Sequence, residues 1–161
     1  MARAPGFAAN STAGTPPRAW LVAGAAMIFL GGCASPPPLA LGYRIDGDGI
    51  LVPLSGLSGN AERGRALVVA RDPANCVLCH GVPGIAVAGD LGPPLAGVGA
   101  RFSVAQLRLR VVDEQQVDPR TMMPSYYRIE GLSAVSAEYR GRPILDAQAV
   151  EDVVAYLATL R

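Results

Sequence analysis

The stretch Asp72–Gly84, DPANCVLCHGVPG, places Cys76 and Cys79 three positions apart, with His80 directly behind them; His80 is the only histidine in 161 residues. The fold depends on what one imidazole and two thiols do together, and three chemistries use such a string. A Cys-x-x-Cys redox pair lowers a thiol pKa, but it belongs in a βαβ setting, and no run of this chain alternates long enough to read as a strand. A structural zinc site needs four tetrahedral ligands. Here only the distant Cys33 could complete the set, and the adjacent Cys79 and His80 splay apart. The third chemistry is covalent attachment of a c-type haem, for which Cys-x-x-Cys-His is the signature.

Haem attachment explains the spacing best. Each thiol adds across one vinyl group, giving two thioether bonds. Two intervening residues let one helical turn carry both sulfurs to the same porphyrin edge. His80, next in line, then falls under the iron as an axial ligand. The opposite ligand follows by elimination, since the chain has no second histidine and all fourteen cations are arginine. Met1 and Met27 lie in the N-terminal segment, which leaves Met122 and Met123. A methionine is ordinarily core filler. Met123, however, precedes Pro124, which biases it toward extended backbone, and it stands in a long loop downstream of the cysteines. Met123 is therefore expected to ligate the iron, with Met122 packed beside it. His/Met ligation raises the reduction potential, because a soft thioether favours ferrous iron.

Helical signals flank the motif on both sides. Upstream, Asn60 can cap AERGRALVVA, and Glu62 suits the positive end of its first turn. Downstream, Ser103 and Gln106 form a capping box opening LRLRVVD, with Leu107 and Val111 on one side. Asp146 can cap a last helix whose Val150, Val153, Val154 and Leu157 recur at helical spacing. Between about Val112 and Leu145 more than 30 residues lack a clear helix, a length uncommon in a compact domain unless the loop is functional. The expected fold is all-α, with long connections wrapping the cofactor.

The N-terminal third reads differently. Arg3 and Arg18 precede AWLVAGAAMIFLGG, an apolar run too short for a confident membrane span of roughly 20 residues. A basic flank, a short apolar core and small residues after it read as an export signal. It ends in LGGC, Leu30–Cys33, which resembles a bacterial lipobox; a plain signal peptide cut nearby would instead leave Cys33 a stray thiol, open to an intermolecular disulfide. Residues 1–32 are thus expected to be a lipoprotein signal, 33–59 a Pro/Gly/Ser-rich tether and extended segment wrapping the domain, and 60–161 the haem domain. Without Arg3 and Arg18, 12 basic face 13 acidic residues, a formal −1. Such a balance provides no basic field for nucleic acid or an anionic membrane.

The order of helix with Gly64, CVLCH, GPPL, Met-Pro and a terminal helix bearing Tyr156 resembles a class I cytochrome c. The stretches RGRALVVARDPANCVLCHGVPG, GDLGPPLAGVGARFSVAQLRLRVVD, MMPSYYR and GRPILDAQAVEDVVAYLATLR are similar to the SoxX family, the monohaem subunits of the periplasmic thiosulfate-oxidising SoxAX complex. The resemblance spans roughly residues 42–161, and MPSYYR and GRPIL are more specific than the haem motif. It implies one covalent haem c, first and last helices crossing at Gly64 against Tyr156, and a Gly-Pro carbonyl, here that of Pro93, accepting from the ring of His80. It also implies a SoxA-like haem subunit as heterodimer partner, the carrier protein SoxYZ reached through the complex, and a small cytochrome c as acceptor. Thiosulfate would be joined to a carrier cysteine in the partner, so no residue of this chain is expected to be a catalytic nucleophile or acid/base. The lipobox departs from that pattern, and a membrane-tethered electron shuttle without an enzymatic partner is the other function the sequence allows. Tyr126 and Tyr127 fit either an exposed docking face beside the haem or packing of its pocket.

Overall fold

A computed structural model describes residues 41–161, together with Gly14. The expected signal segment, Cys33 and the first part of the tether lie outside the described residues.

Among the described residues four α-helices make the frame: α1 Ala61–Val69, α2 Val98–Arg101, α3 Val104–Asp113 and α4 Ala147–Thr159. Three of them start where side chains replace missing backbone acceptors for the first-turn N–H groups. Asn60 accepts from the Arg63 amide, and Asp146 accepts from that of Ala149. Ser103 and Gln106 form the reciprocal capping box. Among the described residues there is no strand, only an isolated bridge between Asp46 and Gly49. The architecture is all-α.

Helix α4 is the axis of the core. Its Val150, Val153, Val154 and Leu157 are buried, as the i, i+3, i+4, i+7 spacing requires, and they meet Val68 of α1 and Leu107 and Val111 of α3. Helices α1 and α4 cross at Gly64, where a Cβ would stand 1.8 Å from the Asp152 carbonyl oxygen and 2.9 Å from Tyr156 Cβ. Helix α2 is not legible in the sequence, because four residues are too few to show a period. It abuts the end of α4, with the Gly99 amide donating to the Leu160 carbonyl at 2.9 Å.

The segment before Asn60 is part of this packing. Ile50 and Leu54 are 1% exposed. The Leu54 amide donates to Glu151 Oε1 at 2.9 Å, and Arg108 Nη1 donates to the Ile50 carbonyl at 2.6 Å. Arg108 also meets Glu151 with Nε at 2.7 Å from Oε1, and both side chains are buried. Two charges inside a core cost several kcal/mol of desolvation each unless paired and hydrogen-bonded; here each also binds backbone of the incoming segment. The pair thereby ties the wrapping segment to α3 and α4.

Candidate haem-binding site

The turn Cys76–Leu78 and the residues after it form a tight local loop. Asn75 enters in a left-handed conformation, and the Cys79 and His80 amides both donate to the Cys76 carbonyl, at 3.2 and 2.9 Å. The loop after it then tracks this motif by backbone pairing. Gly89 N donates to Val77 O, Gly92 N to Cys79 O and Leu95 N to Gly81 O, each at 2.8 Å. So close an approach leaves no room for side chains: a Cβ on Gly89 would lie 1.9 Å from the Leu78 carbonyl oxygen, and one on Gly92 2.5 Å from His80 Cε1. The result is that the Pro93 carbonyl oxygen stands 2.7 Å from His80 Nδ1. A carbonyl can only accept, so Nδ1 carries the proton and Nε2 keeps its lone pair free for a metal.

Cys76, Cys79, His80, Met122 and Met123 line one cavity of about 380 Å³, walled by apolar residues that include Leu107, Val111 and Leu157. A deeper, smaller space is lined by Cys76, His80 and Met123, without Met122. Met122 is 79% exposed, whereas Met123 is half-buried and packs on the core. Tyr126 and Tyr127 are both buried. Tyr126 reaches across to donate to the Ala74 carbonyl at 2.7 Å, linking the methionine loop to the cysteine loop. Tyr126 lines the cavity and Tyr127 packs against Tyr43, so neither forms an exposed docking face.

The electrostatics argue against the two other chemistries of Cys-x-x-Cys. Burial pushes the free Cys76 thiol up to about 11, although a hydrogen bond with Tyr126 pulls the other way. A thiol that weakly acidic is a poor redox nucleophile at neutral pH. Among the described residues no three His, Cys, Asp or Glu side chains converge on a common point as a zinc site would need.

Two cationic side chains, Arg101 and Arg110, also line the cavity. Arg110 Nη1 donates to Glu114 Oε1 at 2.5 Å, and its guanidinium lies 4.2 Å from the centre of the Phe102 ring. Burial raises the Glu114 carboxyl, against the pull of Arg110. Arg110 Nε and Glu114 Oε2 are buried without a hydrogen-bond partner. None of these residues was singled out from the sequence, because a charged residue on a helix ordinarily reads as solvent-facing.

The model of the family described as Cytochrome c matches residues 61–161. The crystal structure of SoxXA from P. pantotrophus matches with a TM-score of 0.67 at 34% identity, covering 73% of this chain and 93% of that one. A comparison with curated proteins finds no match. The chain belongs to the SoxX family of class I cytochromes c. Its cofactor is one covalently bound haem c.

The residues present fit that group. The cavity of this SoxX-family chain is within the range of cofactor pockets, about 300–1,000 Å³, and is apolar with a few convergent polar groups. Two sulfurs and an imidazole line it within one turn of chain, and a thioether comes from the far loop. The unpartnered Arg110 Nε–H suits a ligand that carries carboxylates, as haem does.

Proposed function

We propose that this chain is the electron outlet of a two-subunit thiosulfate-oxidising complex. One observation carries the proposal: Cys76, Cys79, His80 and Met123 line one largely apolar cavity. Bound there, haem c supplies a one-electron ferric/ferrous couple. Cys76 and Cys79 hold the group covalently, so a small, partly open domain does not lose it. His80 Nε2, its ring oriented by the Pro93 carbonyl, and Met123 Sδ would be the two donors holding the iron, and the thioether would raise the potential by favouring the ferrous state. The apolar wall excludes water, which limits reorganisation when the charge changes.

The proposed partner is a SoxA-like haem subunit that joins thiosulfate to a cysteine of the carrier protein SoxYZ. Forming that S–S bond releases two electrons, and the present chain relays them singly to a small cytochrome c. The test is purification of the tagged full-length chain from its native host grown on thiosulfate. Co-elution with a second haem protein at equal stoichiometry is the expected result. A chain that elutes alone while still reduced by the extract would instead establish the stand-alone shuttle.

The export signal expected in residues 1–32 would put this function outside the cytoplasm, and acylation of Cys33 would anchor it to a membrane. Cys33→Ser is expected to move the haem protein from the membrane fraction to the soluble periplasm. Unchanged fractionation would remove the anchor from the proposal without touching the haem site.

A further inference from the structure

We propose that a buried knot of Asp113, Ser125 and Arg128 is the clasp that sets Met123 at the iron, making Asp113 a positioning residue for the sixth ligand. The inference rests on Met123 being that ligand and adds what holds it there.

Asp113 closes α3, the helix whose Leu107 and Val111 wall the cavity. Its side chain is fully buried, and among the described residues its hydrogen-bond and ion-pair partners come from its own helix end or from the methionine loop. Ser125, two residues beyond Met123, donates its hydroxyl to Oδ1 at 2.5 Å. Arg128 brings Nε to 2.6 Å from Oδ2 as an ion pair rather than an aligned hydrogen bond, and Gln116 Nε2 donates to the same oxygen at 3.0 Å. The guanidinium is held in turn, with Nη1 donating to the Glu130 carbonyl at 2.7 Å and Nη2 to Gln115 Oε1 at 2.5 Å.

Tyr126 also ties this loop, its hydroxyl donating to the Ala74 carbonyl at 2.7 Å and its carbonyl accepting from the Leu145 amide at 2.9 Å, but the loop's other ties to α3 are weaker. Tyr126, Tyr127 and Arg128 amides reach the Val111 and Val112 carbonyls only at 3.3 to 3.4 Å, the long end of the range for such bonds. Met123's own amide donates to Thr121 Oγ1 at 3.1 Å, a bond inside the loop that anchors it to nothing else. Between Met123 and the helix, the first strong attachment is therefore Ser125 on Asp113. A buried ion pair adds little net stability compared with apolar packing, and its best-attested use is to fix register. Here one slipped residue would bring Pro124 or Met122 to the place of Met123 and leave Asp113 buried and unpaired.

The molecule contains its own control. The Arg108–Glu151 pair is also buried, more completely than Arg128, but ties down the wrapping segment instead of the methionine loop. The experiment measures the limiting rate at which saturating cyanide replaces the sixth ligand of the ferric haem protein, a rate set by opening of the methionine loop. Ser125→Ala is expected to raise it about tenfold, as for a lost hydrogen bond to a charged acceptor. Asp113→Asn, which strands Arg128, is expected to raise it about a hundredfold. Glu151→Gln should lower the melting temperature yet leave the rate within about twofold of wild type, since it breaks no contact to the loop. Rates unchanged in Ser125→Ala and Asp113→Asn would overturn the clasp, as would an equal rise in Glu151→Gln, which would make opening a matter of global stability. Should Asp113→Asn not fold, Ser125→Ala decides alone. Met123→Ala separates the two levels. If it leaves spectrum and cyanide rate unaltered, the ligand assignment fails; if it abolishes the limiting step while the clasp variants do nothing, only the clasp fails.

Discussion

Met123→Ala is expected to abolish the absorption band by which a thioether donates to ferric iron. It should also lower the reduction potential by on the order of 0.1–0.3 V, a fraction of the roughly 0.8 V that axial ligands span. A soft sulfur stabilises ferrous iron, so water or an empty position in its place favours the ferric state. Met122→Ala should do neither. The difference lies in where the two side chains sit: Met122 is 79% exposed, while Met123 reaches the inner space shared with His80 and Cys76. Optical redox titration of both variants checks the pair, and the reverse pattern would transfer the ligand role to Met122.

Gly64→Ala is expected to be the most destabilising small substitution in the domain. Alanine gains up to about 1 kcal/mol over glycine in a helix interior. Against this, its Cβ would fall 1.8 Å from the Asp152 carbonyl oxygen and 2.5 Å from the carbonyl carbon. Those are α4 backbone atoms and cannot rotate away, so the two helices must separate. Overpacking of this kind costs about 3 kcal/mol or more, which outweighs the propensity gain. For a domain near 100 residues each kcal/mol moves the midpoint by roughly 4–8 °C, so a fall of about 10 °C or more is expected in thermal unfolding of the holoprotein. A melting temperature equal to wild type would show that the crossing can relax.

Much of the frame was legible in advance, and the reason is local. Asn60, Ser103 and Asp146 each cap a helix with a side chain acting three residues away, and α4 shows its core face at every turn. The haem motif is shorter still. What escaped reading were the charged side chains that face inward. Arg108 stands between Leu107 and Leu109 on α3, and its partner Glu151 is 43 residues further on. Asp113 and Arg128 find each other across a turn of loop that shows no periodicity. Hydrophobic spacing reports which face of a helix is apolar, not which charge will meet a compensating one from a distant segment.

The sequence by itself determined the cofactor and two of its attachments, because Cys76, Cys79 and His80 lie within one turn and need no distant segment to find each other. It also narrowed the remaining donor to two methionines, by composition alone. Pro124 then favours Met123 of the two, and the tertiary structure adds that Met123 lines the inner space while Met122 is exposed; only the tertiary structure brought the Pro93 carbonyl to His80 and buried Tyr126 and Tyr127 instead of leaving them at the surface. Those outcomes depend on how loops without internal hydrogen-bond periodicity are pinned, the Pro93 loop to the cysteine turn and the methionine loop to α3. Such pinning is set by contacts between residues far apart in the chain, and local spacing does not encode it.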